Sequence, residues 1–160
     1  REQAYSTFDW GIRDQDGYYF ILGRTDDVIN VAGHRLGTRE IEASICSRPN
    51  VSEVAVVGVE DKLKGQVAVA FVIPRHAVAS DGVAALQAEI MATVDRQLGA
   101  VARPAQVHVV SMLPKTRSGK LLRRAIQAVC EGRDPGDLTT IEDPASLQQV
   151  RDAMAPRVAA

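Results

Sequence analysis

Residues 54–73 read Val54-Ala55-Val56-Val57-Gly58-Val59-Glu60-Asp61-Lys62-Leu63-Lys64-Gly65-Gln66-Val67-Ala68-Val69-Ala70-Phe71-Val72-Ile73. The runs 54–59 and 67–73 are apolar without alternation. Such runs fit strands covered on both faces, at the centre of a sheet. The polar stretch 61–65 connects them. Upstream, residues 28–31 and 34–36 are short apolar strands around Ala32-Gly33. Thr38 is placed to cap a helix, with Glu40 and Glu42 near its positive end, Ile41 and Ile45 on one face, and Pro49 at its end. Downstream, Ser80 or Asp81 is placed to cap a second helix whose buried stripe is Leu86, Ile90, Val94 and Leu98, with Gly99 as its stop. Residues 107–110 form a third apolar strand. Residues 121–130 form a helix with Leu122, Ile126 and Val129 inward and Arg123, Arg124 and Gln127 outward. From residue 28 the order is ββαββαβα, which predicts a small α+β domain with helices packed on a short sheet.

Ahead of this unit, residues 5–9 and 18–22 are aromatic-rich and flank Asp14-Gln15-Asp16-Gly17, which predicts a β-hairpin. The polar, Gly-initiated stretch 23–27 fits a linker or a hinge. After Gly132 the chain turns polar and rich in Pro and Gly. A last helix is expected over residues 144–155, with Asp143 as cap and Pro144 at its first position.

The formal net charge of −1 over 160 residues argues against a general polyanion-binding surface. No apolar run is long enough to span a bilayer, and no signal peptide is visible. Cys46 and Cys130 lack CxxC spacing and read as buried, reduced thiols of a cytoplasmic protein. The chain opens on Arg1 in the middle of a pattern, so a piece of a longer protein is expected.

Chemistry concentrates at Pro114-Lys115-Thr116-Arg117-Ser118-Gly119-Lys120-Leu121-Leu122-Arg123-Arg124. Five basic side chains fall in these eleven residues with no acid among them. A loop that presents one ammonium suits phosphate or carboxylate chemistry. It is not a Walker A loop: the position five before Gly119 is Pro114, and Leu121 stands where Ser or Thr is required. The adjacent acids Asp26 and Asp27 have no His, Cys or further acid at ligand spacing, so no metal site is expected.

Residues 17–37, Gly-Tyr-Tyr-Phe-Ile-Leu-Gly-Arg-Thr-Asp-Asp-Val-Ile-Asn-Val-Ala-Gly-His-Arg-Leu-Gly, resemble the hinge segment of the adenylate-forming acyl-CoA synthetases. Residues 113–120, Leu-Pro-Lys-Thr-Arg-Ser-Gly-Lys, resemble that family's catalytic-lysine loop. The tail from Glu131 is similar to that of the acetyl/propionyl-CoA synthetase branch. Phe20-Ile21-Leu22-Gly23 and Gly37-Thr38-Arg39-Glu40-Ile41-Glu42, taken with this tail, are most similar to its propionate-activating members. The resemblance implies a two-step reaction: a short-chain carboxylate, propionate or acetate, is activated by ATP to acyl-AMP, and CoA then takes the acyl group. It implies Mg²⁺ as well, with ligands outside this chain.

The resemblance assigns roles by position. Lys120 would be the catalytic lysine of the first step. Asp9 would bind the ribose hydroxyls, and Arg24 would lie near ribose and phosphate. Asp26 would be the hinge. Gly33, His34 and Arg35 would form the face used in the CoA step, with Gly33 leaving room for pantetheine, His34 as lining and Arg35 reaching phosphate. Neutralising Lys120, through a lysine acetyltransferase and a deacetylase, would switch the first step off. By the same resemblance, residues 1–26 would end a large N-terminal domain, residues 27–131 would form the C-terminal lid, and residues 132–160 would form a tail with a terminal helix. Without its N-terminal domain the chain would be inactive. Two rivals are a carrier-protein-loading adenylation domain and a phosphate- or nucleic-acid-binding module. The tail weighs against the first, and the charge balance and lack of aromatics in the basic run weigh against the second. No nucleic-acid or membrane partner is expected.

Overall fold

The computed structural model describes residues 9–155. Strands β1 (Asp9–Arg13) and β2 (Tyr19–Arg24) form an antiparallel hairpin, with Asp9 opposite Arg24. Asp14 organises its turn, accepting from the N–H groups of Asp16 and Tyr18 at 3.0 and 2.9 Å. The hairpin expected from sequence is present, but its first strand begins at Asp9. Residues 5–8 lie outside the described residues.

A 3-10 turn, Thr25–Asp27, leads into β3 (Val28–Val31) and β4 (His34–Gly37). Next come α1 (Thr38–Cys46), β5 (Val51–Asp61), β6 (Gly65–Pro74), α2 (Val83–Leu98), β7 (Gln106–Val109), α3 (Arg123–Cys130) and α4 (Ala145–Met154). The ββαββαβα order holds. The sheet order is β4-β3-β6-β5, with β7 pairing β6 in parallel and the other pairs antiparallel.

The long β5–β6 ladder explains the unalternating apolar runs. On one face Val54, Val56, Ala68, Ala70 and Val72 pack with Ile41, Ile45, Leu86, Ile90 and Val94. On the other, Ala55, Val57, Val69 and Phe71 pack with Leu113, Ile126 and Val150. Each face of a strand is therefore a core face, and each large side chain buried there contributes about 1.5–3 kcal/mol. Gly58 has a packing reason: a Cβ there would lie 2.3 Å from Cγ2 of Ile29.

Several local expectations change. Thr38 is the first helical residue, not the cap. It is fully buried, and its hydroxyl donates to the Asp27 carbonyl at 3.2 Å. Neither Ser80 nor Asp81 caps α2. Both are the central residues of a tight turn closed by Gly82 N–H to Ala79 O at 2.8 Å, and the cap position is Gly82. Leu98 is exposed, because the last residue of α2 runs past the core. Cys46 is exposed on the last turn of α1, and Cys130 is half-buried. The cap position of α4 is Pro144, one residue later than expected, and Asp143 just before it accepts from the Ala145 N–H at 2.8 Å. Among the described residues no helix is long and apolar enough to cross a membrane.

Candidate active site

The Lys120 loop is a closed structure. Buried Leu113 and Pro114 fix its entry. Lys115 pairs across to Leu121, and the Leu122 N–H donates to Pro114 O at 3.0 Å. Inside, the Thr116 N–H donates to Lys120 O and the Gly119 N–H to Thr116 O, both at 2.8 Å. The Thr116 hydroxyl oxygen accepts from the Lys120 N–H at 3.1 Å and lies 3.0 Å from the Ser118 hydroxyl. Gly119 has φ +84°, a conformation that glycine adopts without strain. The side chain of Lys115 turns away to form an ion pair with Glu53 at the start of β5. Lys120 itself is exposed. The loop therefore fixes the backbone of Lys120 and leaves its ammonium to the solvent side.

Three residues further on, Arg123 turns inward, against the expected orientation. Its side chain is only 13% exposed, and those of Asp27 and Glu42 are 14% exposed. The guanidinium meets both carboxylate oxygens of Glu42, one of them at 2.8 Å, and its Nε lies 3.4 Å from Oδ1 of Asp27. It also donates to Val56 O at 3.1 Å, while Glu42 accepts from the Val56 N–H at 2.8 Å. Arg39 approaches the other oxygen of Asp27 at 3.1 Å. A planar fork meeting a carboxylate on both oxygens is rigid as well as attractive. The cluster ties the 3-10 turn at Thr25–Asp27 to the helix that follows the lysine. Sequence reasoning missed Asp27 and Arg123. The only hint was the pairing of each with a neighbour of the same charge.

Asp26 is the middle residue of that turn, and its side chain lies outside the described residues. Asp9 and Arg24 face one another across the hairpin. Ala32 and Gly33 form the β3–β4 turn with φ +50° and +84°, the positive pair of a type I′ connection. A Cβ added at Gly33 would meet nothing within 4 Å, so backbone conformation, not crowding within the domain, asks for glycine there. His34 and Arg35 are exposed beside it, and Arg35 lines an open groove with Thr25, Asn30 and Gln66.

The two functional-looking turns are anchored far apart. The Ala32 N–H donates to Lys64 O at 2.8 Å, beside Gly65 at the start of β6. Lys115 is held by Glu53, which pairs with Ile73 near the end of β6. Ile73 lies eight residue steps along the strand from Gly65, about 26 Å at 3.3 Å per step. The structure does not gather the predicted residues into one pocket. It distributes them between two ends of a ladder, with the Arg123 cluster between them.

Both thiols are held towards their neutral form. Burial, with Glu131 beside it, pushes Cys130 up to about 12. Burial and the charges of Glu42 and Glu53 also raise Cys46. Among the described residues no group of three or more His, Cys, Asp or Glu side chains could hold a metal ion.

Fold and site thus define a small α+β domain that offers a braced lysine loop at one end of its sheet and a glycine turn at the other. A sequence model described as AMP-binding enzyme C-terminal domain matches residues 40–120. The chain is 72% identical over 155 residues to a propionate–CoA ligase of Salmonella typhimurium, covering 95% of the chain and 25% of that protein. It is 49% identical over 145 residues to an acetyl-coenzyme A synthetase of Pyrobaculum aerophilum, covering 91% of the chain and 21% of that protein. The crystal structure of an acyl-CoA synthetase of Brucella canis matches with a TM-score of 0.55 and 38% identity, covering 72% of the chain and 21% of that structure. The chain belongs to the AMP-binding enzyme C-terminal domain family. It spans about a quarter of the length of the curated relatives it matches.

Proposed function

We propose that this chain is the mobile C-terminal lid of a cytoplasmic, AMP-forming propionate–CoA ligase. Residues 1–26 close the N-terminal domain, residues 27–131 form the lid, and residues 132–160 form its tail. The observation that carries the reading is the separation of the Lys120 loop and the Ala32-Gly33 turn to opposite ends of one β5–β6 ladder. Two chemistries at two ends of a rigid sheet call for a body that presents one end and then the other. The turn at Thr25–Asp27 is where such a body pivots, with Asp26 as the hinge residue.

In the first step a propionate oxygen attacks the α-phosphorus of ATP, and pyrophosphate leaves. Negative charge gathers around the phosphorus and the incoming carboxylate. The Lys120 ammonium, held on its fixed loop backbone, neutralises that charge where it develops. Asp9 accepts hydrogen bonds from the ribose hydroxyls, and Arg24 lies beside ribose and phosphate. In the second step the other end of the sheet faces the acyl-AMP. The CoA sulfur bonds to the acyl carbon, and AMP leaves with the electron pair of the broken C–O bond. Gly33 gives the pantetheine arm room, His34 lines its path and Arg35 pairs with phosphate. Mg²⁺ accompanies ATP, and its ligands lie elsewhere in the enzyme. Acetylation of Lys120, reversed by a deacetylase, removes the charge needed in the first step. Propionate is favoured over acetate by the 72% identity to a propionate–CoA ligase against 49% to an acetyl-coenzyme A synthetase.

The test uses the full-length enzyme. Lys120→Ala is expected to lower propionate-dependent ATP–pyrophosphate exchange by about 10²–10³-fold, the scale of a lost charge-stabilising donor. Transfer from supplied propionyl-adenylate to CoA is expected to persist. Unchanged exchange would overturn the assignment of Lys120.

A further inference from the structure

The tail beyond the matched family region has no part in the chemistry described so far, yet it touches the lysine loop at several points. The family match ends at residue 120. Residues 140–142 run back alongside the loop. The Arg117 N–H donates to Thr140 O at 3.1 Å, the Glu142 N–H donates to Lys115 O at 2.9 Å, and Thr116 bridges Ile141 in antiparallel sense. These bonds flank Thr116 on both sides. Thr116 is the residue whose hydroxyl oxygen accepts from the Lys120 N–H. The loop's own bridge between Lys115 and Leu121 therefore gains a second bridge from the tail.

The strap is pinned behind as well. Ile141 is 6% exposed and packs with Ala125 and Leu147, so its side chain locks residue 141 to α3 and α4. Gln149 of α4 grips the approach to the loop. Its carbonyl oxygen accepts from the Ser111 N–H at 2.9 Å, and its amide donates to the Ser111 hydroxyl at 2.7 Å. An exposed loop held at its entry and along its outer edge has few ways to shift its tip. Reactions that depend on a placed charge lose about 100-fold for a displacement near 1 Å.

We infer that the tail strand 140–142, anchored by Ile141, is a positioning element for Lys120, acting through Thr116. It touches no substrate. This rests on the reading of Lys120 as the lysine of the adenylation step. The alternative is that the tail adds only stability, and the two make different predictions. A stabilising tail, when weakened, lowers both half-reactions together. A positioning tail, when weakened, lowers the first and spares the second.

The experiment compares full-length wild type, Ile141→Ala, Ile141→Val, Glu142→Pro and Lys120→Ala. ATP–pyrophosphate exchange reads the first step, single-turnover transfer from supplied propionyl-adenylate reads the second, and hydrogen exchange reads the amides of residues 115–120. Ile141→Ala is expected to lower the kcat of exchange by about 10–100-fold, leave the ATP KM and the transfer rate within about two-fold, and speed amide exchange in the loop. Ile141→Val, which keeps the branched anchor, is expected to restore the exchange rate. Glu142→Pro removes the N–H that reaches Lys115 without opening the core, and it decides the matter should Ile141→Ala fail to fold. Wild-type exchange in the strap variants, with Lys120→Ala inactive, overturns this inference and leaves the function reading standing. An equal fall in both half-reactions also overturns it. Normal exchange in Lys120→Ala overturns both.

Discussion

The Lys120 loop and the Ala32-Gly33 turn use the same local device in opposite ways. Both contain a glycine at φ +84° with open space where a side chain would go. The Gly33 turn is held by its own two strands and one hydrogen bond to Lys64. The lysine loop is held by its own strands, by the Glu53 ion pair and by the tail. Under the proposed function, the difference matches what each end would have to do. A glycine that leaves room for a passing chain works by being empty, and a tight turn keeps it so. A charged group that must meet a developing charge works by being in place, and place requires bracing.

The strongest attack on this comparison is Gly33→Leu. The new side chain occupies the open space and strains the positive φ. The thioester step is expected to slow by about 100-fold while adenylate forms and accumulates, which rapid-quench analysis of bound propionyl-adenylate would register. Equal loss of both steps would show a folding defect and dissolve the contrast between the two ends.

Next in size is Arg123→Ala, which tests the link between the ends. It leaves the largely buried carboxylates of Glu42 and Asp27 without their shared cation, so a loss of about 3 kcal/mol is expected. Chemical denaturation measures it. A change within about 0.5 kcal/mol, the range of an ordinary surface substitution, would show that the cluster does not join the Thr25–Asp27 turn to α3.

The smallest effect concerns the thiols. At pH 8, alkylation followed by mass spectrometry is expected to mark exposed Cys46 before Cys130, and both more slowly than free cysteine. The sign of the linked stability follows. Cys130 is raised from 9.0 to about 12, so the fold favours the neutral thiol. Its contribution is complete below pH 9, where the unfolded thiol is also protonated, and is lost as pH rises towards 12. Removing the thiol with Cys130→Ala should flatten that part of the pH–stability curve.

Much of the domain was legible because its signals are local. Unalternating valines announced the central strands, Gly99 announced the end of α2, and the Gly119-Lys120 loop announced itself by composition. The strand bounds were wider than the apolar runs, since pairing continues through Glu53 and, past a bulge at Ser52, Val51 at one end, and through Glu60 and Asp61 at the other. The failures share a different cause. Helical periodicity put Arg123 outside, because nothing local records that Asp27 and Glu42 wait far upstream for its guanidinium. Thr38 looked like a cap because its position suited one, but its hydroxyl found the Asp27 carbonyl first. The tail strap rests on isolated bridges between segments that each look like loop. Neither alternation nor propensity marks a strand of that length.

The ladder also has an outer side. β5 is the last strand of its sheet and runs for 11 residues, nearly all apolar at its centre. A bare edge of that kind would invite a second molecule to add a strand. Here side chains occupy it. Glu42 takes the Val56 N–H, Arg123 takes the Val56 carbonyl and Glu131 takes the Glu60 N–H at 3.1 Å. Burial raises the Glu131 carboxyl, and the hydrogen bonds from Arg133, Glu60 and Gln127 outweigh it and hold the group below its ordinary value. Glu131 therefore stays ionised, and able to accept that N–H, down into the acid range. The charges that tie the domain together also cover the edge that a second copy would otherwise extend.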